Sequence, residues 1–90
     1  MTAVQLGGPE WALGRVEAAK AKAVRTDGAV TPSMETDVQN ALLVLKRSGC
    51  GPDVLERVER ISTTLFLMAR AKANGRPNLY NSQRLRLRQF

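Results

Sequence analysis

The sequence predicts an all-α protein. The expected fold is a small three-helix bundle, a helical hairpin plus an N-terminal helix, completed by dimerisation and followed by an extended basic C-terminal arm. Three observations lead there. Pro9, Pro32 and Pro52 each stand where a helix can begin, since the missing proline N–H costs nothing at the first helical position. Behind each of them apolar residues recur at intervals of three and four, the helical period. The chain is also short: at 90 residues it buries about 60–65% of its unfolded surface, a marginal core. It has one cysteine, Cys50, and no histidine, so an internal disulfide and a Cys/His zinc site are both excluded. Association with a second copy remains as the way to complete the core.

Residues 1–8 read as a flexible N-terminus, 9–76 as the helical domain and 77–90 as the arm. The first helix runs from Pro9 to about Thr26, rich in alanine, with Asp27-Gly28 as its stop. Ala12, Val16, Ala19 and Ala23 form one shallow stripe along it. The second helix is capped by Thr31 or by Ser33. Met34, Val38, Ala41, Leu42 and Leu45 form its core stripe, which Leu43 and Val44 widen. Lys46 and Arg47 sit in its last turn, the favourable sign for the helix dipole, before Ser48-Gly49-Cys50-Gly51 ends it. The third helix starts at Pro52 and ends at Asn74-Gly75, about 22 residues or ~33 Å. Val54, Val58, Ile61, Leu65 and Met68 repeat at 4-3-4-3, a seam expected to serve the core or a dimer interface. The short link between the second and third helices predicts a hairpin. In the arm, Gln83 to Phe90 alternates polar and apolar residues with period two. Because a lone strand has no partner, the arm is expected to be disordered or to order on another subunit or a ligand.

Charge is unevenly placed. Residues 1–60 hold all eight acids and eight bases, whereas 61–90 hold six bases and no acid. Five of those six are arginine, which grips phosphate in a bidentate fork. A basic third on a neutral body points to a polyanion, nucleic acid foremost. The expected contacts are Arg70, Lys72 and Arg76 at the end of the third helix, then Arg84, Arg86 and Arg88 on the arm, with Arg15, Lys22 and Arg25 as a further basic face on the first helix. Bases along a rigid helix suit the backbone of a duplex, and A-form RNA is recognised largely by backbone and shape.

Other chemistry finds little support. General acid–base catalysis most often uses histidine, which is absent. Glu35 and Asp37 are two positions apart and do not share a helix face, while Glu56 has Arg60 at i+4. Cys50, between two glycines, has no histidine to activate it. The Gly49-Cys50-Gly51 turn makes a poor phosphate cradle, because Pro52 removes a donor and Asp53 adds a negative charge. No nucleotide-binding motif is present. The expectation is therefore a non-enzyme with no metal, no cofactor and no small-molecule substrate. Neither a signal peptide nor an apolar run of membrane-spanning length is visible, so an intracellular, cytoplasmic protein is expected.

The helix order, with the strings Val16-Glu17-Ala18-Ala19 and Arg60-Ile61-Ser62-Thr63-Thr64-Leu65, resembles the small dsRNA-binding RNA-silencing suppressors of insect nodaviruses. The resemblance covers residues 10–70 and departs at the Gly49–Pro52 break. It implies a basic helical dimer whose long helices lie along duplex RNA. The function expected from charge and resemblance together is sequence-independent binding of RNA duplex by a viral suppressor of RNA silencing. The alternative is a helical structural or adaptor subunit of a viral or ribonucleoprotein assembly.

Overall fold

The structure, a computed structural model, describes residues 8–25 and 30–90. Most of the expected flexible start and the Asp27-Gly28 helix stop lie outside the described residues. Four helices follow one another: α1 (Pro9–Ala23), α2 (Pro32–Arg47), α3 (Pro52–Ala73) and α4 (Pro77–Leu87). Every one opens on a proline. No strand occurs among the described residues. α1 packs chiefly on α2 and α3 chiefly on α4; α2 and α3 join the two pairs, and α1 also reaches α3 and α4. The result is a flattened body of 42 × 28 × 18 Å.

The apolar stripes become the core. Ala12, Val16, Ala19 and Ala23 of α1 are all buried, as are Met34, Val38, Ala41 and Leu45 of α2. The small residues of α1 matter here, since alanines let the α2 backbone approach closely. From α3, Val58, Ile61, Leu65 and Met68 are fully buried, with Val54 half-buried at the edge. Among the described residues Thr64 is the one polar side chain buried with them, and its hydroxyl donates to the Arg60 carbonyl at 2.7 Å, which removes the desolvation penalty. Helix starts and stops follow local chemistry. Thr31 rather than Ser33 caps α2, its side-chain oxygen accepting from the Met34 N–H at 3.3 Å. At the far ends of α2 and α3, Gly49 (φ 71°) and Gly75 (φ 66°) take the left-handed conformation. In both, the glycine N–H and the one after it bond back to carbonyls of the last turn: Gly49 to Lys46, Cys50 to Leu45, Gly75 to Lys72 and Arg76 to Ala71.

One element corrects the expectation. The segment after Pro77 is a fourth helix packed on α3, not an extended arm. Helix formation satisfies the segment's own N–H and C=O groups, which a lone strand would leave unpaired. Read at helical spacing, Tyr80, Arg84 and Leu87 lie on one face at intervals of four and three. Leu87 is fully buried, and half-buried Tyr80 and Phe90 pack against the same core. The period-two alternation is spent instead on both sides of the helix, which leaves Leu85 half exposed.

Candidate nucleic-acid interface

The basic residues separate into groups once they are placed on the fold. Arg70 and Lys72 are two positions apart on α3, hence about 200° apart around its axis. Lys72 instead comes together with Arg76, which lies beyond the end of α3 as the residue before α4. Together with Gly75, Pro77 and Tyr80 they line an open hollow of about 280 Å³ at the α3–α4 corner. No acid lines it, and α4 has none in its first turn, whereas α1, α2 and α3 each carry one. Arg70 lies on another side of α3, its guanidinium 5.6 Å from the centre of the Phe66 ring. A guanidinium within about 6 Å of an aromatic ring is attracted to its face. Arg70, Lys72 and Arg76 are exposed, and none of them forms an ion pair among the described residues.

The arginines of α4 have three different environments. Arg84 is half-buried, and its Nη1 donates to the Val24 carbonyl at 3.1 Å, at the C-terminal end of α1. It closes a carbonyl that the helix end leaves unpaired. Arg86 lines a groove of about 440 Å³ between α3 and α4, which Glu56 and Glu59 also border. Arg88 follows the helix and is exposed. On α1, Arg15 bonds Asp37 of α2 at 3.1 Å and lies 5.8 Å from the Trp11 ring centre. Its charge is committed to the α1–α2 seam. Lys22 and Arg25 are exposed. The expected basic face of α1 is thus reduced at its Arg15 end.

Arg57 was not singled out by sequence, yet it ties three parts of the chain together. Its Nη1 lies 2.7 Å from Glu17 Oε2 of α1, and its Nε donates to the Phe90 carbonyl at 2.7 Å. Two further acids of α3 are paired: Glu56 with Arg60 at 3.0 Å, as the i+4 spacing predicts, and Glu59 with Lys46 at 3.9 Å. No group of three or more acidic or cysteine side chains comes together among the described residues. Cys50 is half-buried against the core.

The 4-3-4-3 seam of α3 faces the chain's own helices, so it is core, and a dimer would need another surface. Leu43, Phe66, Leu67, Leu79 and Leu85 are exposed large apolar side chains. Among the described residues no helix is long and apolar enough to cross a membrane. Comparison with protein-family models, with curated proteins and with solved structures finds no match to this chain.

Proposed function

We propose that the protein binds nucleic acid, RNA duplex foremost, without sequence preference, through phosphate contacts from α3 and α4. The observation that carries the reading is the charge of residues 61–90: six bases, no acid, and five of the six exposed on the outer surface of two packed helices. Arg84 is the exception, and it leaves the set of contacts because its guanidinium caps α1. Arg70, Lys72 and Arg76 lead, with Arg86, Arg88, Lys22 and Arg25 behind them. Helices hold these charges at set spacings, so little ordering entropy is lost when a rigid duplex docks. A homodimer would double the number of phosphate contacts along one duplex. Five exposed apolar side chains, spread over α2, α3 and α4, are available for contact with a second copy, and the mixed charges of the α3–α4 groove suit a self-complementary contact. With the resemblance to nodaviral proteins, this becomes a viral suppressor of RNA silencing that acts by covering duplex RNA.

The same exposed apolar side chains favour the second reading, an adaptor that docks on protein within a larger assembly. A gel shift with a blunt RNA duplex separates the two. The proposal expects a shift that the triple variant Arg70→Ala, Lys72→Ala, Arg76→Ala weakens at least tenfold. Full binding by that variant, or none by the wild type, contradicts it.

A further inference from the structure

The hollow at the α3–α4 corner has features that phosphate contacts alone do not need. Lys72 and Arg76 are its cations; Gly75, Pro77 and Tyr80 complete its lining and bring two ring side chains to it. The aliphatic stems of the two cations add to the apolar part. Gly75 must stay glycine for its left-handed φ of 66°, and a Cβ there would meet nothing within 4 Å, so the space over the turn is open. A bare phosphate would satisfy the cations and leave the apolar wall in water. A neutral ring would cover the wall and make no use of two unpaired cations. A nucleotide meets both demands, with its planar base against Tyr80 and Pro77 and its phosphate between Lys72 and Arg76. The size agrees. Pockets for drug-sized ligands span about 300–1,000 Å³, and this open hollow, at about 280 Å³, lies just below them, a size that suits one nucleotide and not a longer segment.

We infer that this hollow binds one unpaired nucleotide, the base stacked on Tyr80 and the phosphate held by Lys72 and Arg76. The inference deepens the proposed nucleic-acid binding and rests on it for the strand that delivers the nucleotide. It makes the protein a reader of strand ends or unpaired sites as well as of the duplex backbone.

The test uses the full chain and two kinds of probe. Fluorescence anisotropy compares a blunt RNA duplex with one of equal length that carries unpaired terminal nucleotides. Amide NMR titrations compare adenosine 5′-monophosphate with inorganic phosphate. The overhanging duplex is expected to bind about tenfold tighter, within the range for stacking one base on an aromatic side chain. Tyr80→Ala should remove that preference and keep the blunt-duplex affinity, whereas Tyr80→Phe keeps the preference. The monophosphate should shift the Gly75 and Tyr80 amides at concentrations where phosphate does not. Because Tyr80 is half-buried and its loss can loosen α4, Lys72→Ala with Arg76→Ala serves as a second variant. Both positions are exposed, and the pair should lose the monophosphate shifts while the far-UV dichroism melt is unchanged. Shifts with the monophosphate but no overhang preference support the hollow and name free nucleotide as its source. Equal affinity for both duplexes, with monophosphate and phosphate indistinguishable, overturns the inference and leaves duplex binding standing. Amide shifts with no binding of either duplex do the reverse.

Discussion

Two arginines decide how the helices are locked, and neither does so by phosphate. Arg57 of α3 joins Glu17 of α1 and the Phe90 carbonyl, and Arg84 closes the end of α1 from α4. The ion pair with Glu17 is half exposed, so it contributes about 1 kcal/mol at most. The charge-assisted bonds to carbonyls matter more, at about 1.5–3 kcal/mol each. Arg57→Ala is expected to lower Tm by on the order of 10 °C in a chain of this size, and Arg57→Lys to recover only part, since an ammonium cannot serve both partners as a fork does. A Tm unchanged by Arg57→Ala would remove this account of how the C-terminus is held. Arg84→Ala should likewise destabilise, while duplex affinity measured well below the melt stays within about twofold of wild type. A large affinity loss with an unchanged melt would return Arg84 to the binding set. These roles were illegible in the sequence because the partners are distant: Arg57 and Phe90 are 33 positions apart, and Arg84 and Val24 are 60 apart. The i+4 pair of Glu56 with Arg60 was legible because the helix itself brings the two together.

Helix ends and core stripes were the readable elements. Proline at the first helical position, Thr31 as a cap and glycine past the helix end act within a turn of the chain, so their effect does not depend on tertiary context. In α4 two periods compete within eight residues. The alternation of Arg84 to Arg88 suits a strand, while Tyr80, Arg84 and Leu87 suit a helix, and only packing on α3 decides between them. A local signal that favours the helix is Gly75-Arg76-Pro77, the same glycine-then-proline punctuation that separates α2 from α3 at Gly49 to Pro52. α4 depends heavily on Leu87, the one fully buried side chain it contributes. Leu87→Ala is expected to cost about 2–5 kcal/mol and to expose α4 to hydrogen exchange before the other helices. Leu85→Ala, at a half-exposed position, should stay within about 0.5 kcal/mol in the same urea titration. Equal effects of the two substitutions would mean that α4 is not docked as described.

At the scale of the whole molecule, the basic third of the sequence is not a free tail but two packed helices. Folding divides its charge. Arg84 turns inward, Arg86 borders acids in a groove, and Lys72 and Arg76 meet at a corner away from Arg70. Charge content was legible in the sequence because it needs only counting. The grouping was not, because it depends on the rotation of α3 and on the position of α4. Dimerisation was expected from the marginal size of the core, yet the α3 seam is satisfied within one chain, so any dimer rests on the exposed apolar side chains.

The central claim is that exposed bases of α3 and α4 bind a nucleic-acid backbone, and its most direct measurement is the salt dependence of duplex RNA affinity. Each phosphate contact contributes close to one unit to the slope of log K against log salt. The account predicts strong binding at low salt that falls steeply as salt rises. It also predicts that the triple variant Arg70→Ala, Lys72→Ala, Arg76→Ala flattens the slope by about one unit for each phosphate contact that it removes. A wild-type affinity that does not respond to salt, or a triple variant with an unchanged slope, would contradict it.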